Sequence, residues 1–210
     1  MIRRLVVILS SLSLAFSILF TSLFRVSSVN YSFHLEREVK AETVEKVEKK
    51  EIAYALAHPG GILPDSPLWV IKAIRDKIWL ISSTNPSKKA DLLLLLADKR
   101  LAGSKILFER GKAEIAYSSL TKAEKYLDEA AKVAYENSQK GIDTSSFYSR
   151  LSLASLKHRQ VMGEMVELAP EDARPQVIKI LGYPENIYNQ TKELLLSRGL
   201  TPPESPFAGQ

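Results

Sequence analysis

The sequence predicts an all-α protein: an elongated bundle of long antiparallel helices behind an N-terminal transmembrane helix. Three observations carry that reading. Arg3 and Arg4 precede an uncharged run from Leu5 to Phe24, which Arg25 closes. Apolar residues then recur at steps of three and four from Leu68 to Leu168, the period of a helix face. No segment alternates apolar and polar residues as a half-buried strand does.

Residues 1–25 read as a membrane anchor or signal sequence. A run of about 20 apolar residues matches a bilayer core at about 1.5 Å per residue. A cleaved signal has a shorter apolar centre and small residues at its exit. Here the exit reads Thr21-Ser22-Leu23-Phe24-Arg25, with large residues where a peptidase needs small ones. An uncleaved anchor is therefore the preferred reading, and cleavage would give a secreted chain. Either way the basic residues before the run stay cytoplasmic and the remainder faces outward.

Residues 26–61 read as a linker or helical stalk. Glu42–Lys46 and Glu45–Lys49 are spaced to support a helical turn. His58-Pro59-Gly60-Gly61 then stops it. Residues 62–200 form the bundle. In its first helix Ser66 is expected to cap, with Pro67 in the first turn. Leu68, Ile71, Ile74, Ile78 and Ile81 fall on one stripe of that helix. Asn85-Pro86 starts a second helix reaching about Arg110, with Leu94, Ala97, Leu101, Ser104 and Phe108 along its seam. The third carries Ala116, Leu120, Ala123, Leu127, Ala130 and Ala134, whose alanines let helices approach closely. The fourth carries Phe147, Leu151, Ala154, His158, Val161, Met165 and Leu168. Two shorter helices are expected over Glu171–Leu181 and Pro184–Ser197. Residues 201–210, rich in Pro and Ser, read as a disordered tail.

The strings Leu63-Pro64-Asp65-Ser66-Pro67-Leu68-Trp69 with Lys72, and Pro86-Ser87-Lys88-Lys89-Ala90-Asp91-Leu92 followed by Arg100-Leu101, carry a resemblance. Over about Ile62 to Leu168 the chain resembles a bacterial exported helical domain of unknown function. Trp69 stands where Tyr or Phe is usual in that family, and Asn85 where Asp is usual. The resemblance implies an extracytoplasmic helical domain near a membrane segment. It implies no activity, catalytic residue or cofactor. Lys72 is expected to reach a carboxylate, Asp65 or Asp76.

Charge and composition exclude several classes. Outside Arg3, Arg4 and Arg25 the chain has 26 basic against 24 acidic residues, a mixed surface with no nucleic-acid footprint. There is no cysteine, hence no disulfide, thiolate metal site or cysteine nucleophile. No phosphate-binding glycine loop, His-Glu-x-x-His or Gly-x-Ser-x-Gly is present. The acidic residues Asp98, Glu109 and Glu124 read as surface partners of Lys and Arg. The one soft-metal candidate is His158, Met162 and Met165, near one helix face and suited to Cu(I). The stronger reading packs them in the core. No catalytic, cofactor or metal residue is therefore assigned.

The expected function is a membrane-tethered extracytoplasmic interaction or scaffold module without catalysis. Its partners are the membrane, through residues 5–24, and another protein, with no nucleic acid. The alternative is a sensor or chaperone-like hairpin binding a peptide, lipid or metal.

Overall fold

A computed structural model describes residues 52–207. The apolar run at residues 5–24 and most of the stalk lie outside the described residues. Among the described residues there are six helices and no strand: α1 Trp69–Ser82, α2 Pro86–Glu109, α3 Ala113–Gln139, α4 Ser145–Leu168, α5 Arg174–Ile180 and α6 Gly182–Ser197. None of them is long and apolar enough to cross a membrane.

Local chemistry sets the ends. The Asn85 side chain accepts from the Lys88 N–H at 3.1 Å, and Pro86 follows it where a missing N–H costs nothing. Gly111, at φ +72°, turns the chain left-handed so that the Lys112 N–H reaches the Leu107 carbonyl. Gly141, at φ +77°, does the same after α3, with the Ile142 N–H on the Asn137 carbonyl. Ahead of α4 the Asp143 carboxylate accepts from the Ser145 N–H at 2.9 Å, and that bond lowers its carboxyl pKa. Ser66 is not the cap of α1. The helix begins two residues later than its signal suggests, behind Leu68, and the Ser66 hydroxyl accepts from the Leu68 N–H instead.

α2 and α3 form an antiparallel hairpin, stitched by Ser104 donating to the Ala116 carbonyl and Ser119 donating to the Arg100 carbonyl. α4 returns parallel to α2. Arg150 meets Asp91, His158 meets Asp98 and Lys105 meets Glu164, each pair 59 or 60 residues apart in sequence. α6 lies against α4, burying Ile187, Tyr188 and Leu195. The Arg198 guanidinium, just past α6, donates to Ser138, Thr144 and Ser145 around the α3–α4 turn.

The expected seams of α2 and α3 are buried throughout. The seam of α4 is buried from Phe147 to Met165. Leu168 departs from it at 42% exposed, because it sits in the last turn before Ala169-Pro170 ends the helix. The larger difference between the helices is at α1. Its stripe, Leu68, Ile71, Ile74, Ile78 and Ile81, is exposed throughout, with Ile71 at 63% and Ile81 at 74%. Trp69, Trp79, Leu80 and the buried Asp76 face the domain instead.

The chain on either side of the expected bundle also touches it. Ile52 and Pro59 are buried, and Leu56 packs against the core. The tail through Phe207 has no helix. Tyr188 donates to the Pro203 carbonyl at 2.7 Å, and Arg159 lies 4.6 Å from the Phe207 ring centre.

Candidate functional site

A polar layer separates the two larger of the hydrophobic clusters among the described residues. The first includes Leu101, Leu107, Leu120, Ala123, Val161, Met162 and Met165. The second includes Leu93, Leu94, Ala97, Leu127, Ala130, Leu151 and Ala154. The positions between them on α2, α3 and α4 are Asp98, Glu124 and His158, each 1% exposed or less. His158 Nδ1 lies 2.8 Å from Glu124 Oε1, and its Nε2 lies 3.1 Å from Asp98 Oδ1. Tyr54, from the segment ahead of the bundle, donates its hydroxyl to Asp98 Oδ2 at 2.8 Å.

Both ring nitrogens thus face carboxylate oxygens, and each contact requires a proton between its partners. Two carboxylates with a neutral imidazole total −2, and protonating the ring halves that charge. Burial favours the neutral ring. The charge of Glu124 and the hydrogen bonds to Asp98 and Glu124 outweigh it, and the His158 pKa is pushed up to about 9. The Tyr54 phenol is pushed up by burial and then by the charge of Asp98. Glu124 Oε2 is buried without a hydrogen-bond partner.

This layer corrects the surface assignment of Asp98 and Glu124. Their neighbours Lys99, Arg100 and Lys125 mimic an exposed charged face, but each acid sits one position past a seam alanine, Ala97 or Ala123. Only Glu109 of the three is exposed. His158 on an apolar seam was the available signal, since a buried imidazole needs partners. Met162 and Met165 lie in the apolar cluster beside the layer. Both nitrogens of His158 are engaged by carboxylates, which leaves it no lone pair for a metal. Among the described residues no group of His, Asp and Glu is arranged to hold a metal ion.

The second feature is the corner where α1 meets α2. Lys72 does not reach Asp65 or Asp76. Its Nζ donates to the carbonyls of Pro59 and Ile62, at 2.6 and 2.9 Å, fastening the entry segment to the helix. Asp65 pairs with Arg110 and Lys112, and Asp76 with Arg75. Trp69 lies between Lys72 and Arg100, at 5.0 and 5.1 Å, and Arg100 continues to the Tyr126 ring at 5.2 Å. A cavity of about 10 Å³ between Trp69, Lys72, Asp76 and Arg100 holds one water-sized molecule at most. His58, left in the linker by its sequence context, accepts the Gly60 N–H on Nδ1. His34 lies outside the described residues.

Together these define an all-helical domain whose polar side chains work inward, on its own packing. The chain belongs to the family described as a domain of unknown function (DUF5667), whose model matches residues 61–172, the span from the entry turn through α4. No curated protein and no solved structure matches the chain.

Proposed function

We propose that this chain is a membrane-tethered helical interaction module, held by residues 5–24 with its domain on the extracytoplasmic side, and that it works without catalysis. The observation that carries the reading is the outward apolar face of α1. Five large aliphatic side chains at helical spacing are exposed, with no cover among the described residues, on a domain that buries the seams of α2, α3 and most of α4. An apolar surface of that kind marks a site where something docks. The family match supports a helical domain and brings no activity with it. The sealed His158 layer supports the non-catalytic part, since a buried imidazole has no access to a substrate.

Membrane fractionation of the full chain, with a reporter after Gln210 that is active only in the cytoplasm, tests the tether. The reading requires retention in the membrane through alkaline extraction and a silent reporter. A strong reporter signal contradicts the orientation, and release of the chain by alkali contradicts the anchor.

A further inference from the structure

We infer that the apolar face of α1 seats the domain on the anionic surface of a phospholipid bilayer. The inference rests on the reading of residues 5–24 as a membrane span and names what their domain docks on.

The face is built as an interfacial helix is built. At about 100° per residue, Val70, Ile71, Ile74, Ile78 and Ile81 share one side of α1. Lys77 borders that strip on one edge and Arg75 on the other. Asp76, the only acidic residue of the helix, is buried on the opposite side and paired with Arg75. Charge is concentrated here. Residues 67–90 hold five of the chain's 29 basic residues and one of its 24 acidic ones, so they carry +4 of the net +5. An apolar strip edged by cations is the chemistry that enters an anionic headgroup layer.

The same charges argue against other occupants. A second copy docked through this face would bring its own Arg75 and Lys77 against like charge. In the reading on which this inference rests, residues 5–24 already cross the bilayer and are not free to cover the strip. A bilayer covers the strip and answers the charge.

The absence of cysteine makes the test specific, because one introduced thiol labels one place. Ile78→Cys and, separately, Ile81→Cys are labelled with an environment-sensitive fluorophore. Tyr135→Cys on α3, also exposed, is the reference. Each full chain is reconstituted in phosphatidylcholine vesicles with or without phosphatidylglycerol, and quenched by spin-labelled lipid. In the anionic vesicles, quenching at 78 and 81 should exceed that at 135 by about threefold or more, given a burial depth of about 5–10 Å. Salt, or Lys77→Glu with Lys88→Glu, should remove most of the excess. Equal quenching at 78, 81 and 135 overturns the inference. So does a shielded label at 78 that resists lipid quenching and crosslinks to a second copy. Alkaline extraction of the same vesicles separates the two readings. A chain retained in the membrane but unquenched at 78 and 81 removes the lipid seat alone, and a chain washed off removes the tether.

Discussion

The layer around His158 and the outer face of α1 reverse the usual distribution of polarity. One puts three ionisable groups where the bundle is driest. The other leaves aliphatic side chains in contact with water. The first arrangement has its compensation within the chain, because Asp98, Glu124, His158 and Tyr54 answer one another. The second has none among the described residues. A buried polar cluster whose groups pair mainly with one another points to folding specificity, and an exposed apolar face points to a partner.

The largest expected effect lies in the layer. His158→Ala leaves Asp98 and Glu124 facing each other without a counter-charge, and urea unfolding should show a loss of about 3–5 kcal/mol. Replacing Asp98, Glu124 and His158 together with Leu should recover most of that loss, since an apolar layer of similar volume has no desolvation penalty. A triple variant as weak as the single one would mean that the layer does more than balance its own charges.

Next comes packing beside the layer. Leu127→Ala, fully buried on α3, should cost about 2–5 kcal/mol by the same measurement. A loss below about 0.5 kcal/mol would place that seam at the surface.

pH sharpens the contrast further. The folded His158 value of about 9 stands above the ordinary 6.5, so the protonated ring stabilises the fold. That stabilisation is complete below pH 6.5 and is lost as pH rises through about 9. Unfolding free energies across this window should fall by about 3 kcal/mol. His158→Gln should flatten the profile. An unchanged slope in that variant would assign the pH dependence to other groups. Tyr54→Phe removes one hydrogen bond to Asp98 and should cost about 1–2 kcal/mol, less than the loss of the imidazole.

The two regions also differ in how far the sequence could be read. The three- and four-residue steps of α2, α3 and α4 give both the helices and their buried faces, since most of those steps are small or aliphatic and meet each other. On α1 the same periodicity identifies a face but not what lies against it. Ile71, Ile74 and Ile78 would look the same facing a core or a bilayer. Asp98 and Glu124 were hidden for the opposite reason. Asp98-Lys99-Arg100 and Glu124-Lys125 have the composition of a solvated face, and only the packing of three helices turns the acids toward His158. Tyr54 reaches Asp98 across 44 residues of sequence, beyond any local pattern. Lys72 was misassigned because its partners are backbone carbonyls, which every residue carries.

The most direct test of the central contrast is the unfolding free energy of the double variant Ile71→Ser with Ile78→Ser. Both side chains lie on the outer face of α1, at 63% and 47% exposed. Surface substitutions usually change stability by less than about 0.5 kcal/mol each, so the account predicts a change within about 1 kcal/mol for the pair. A loss of about 4 kcal/mol or more, the scale of buried aliphatic truncation, would put the face of α1 in the core and contradict it.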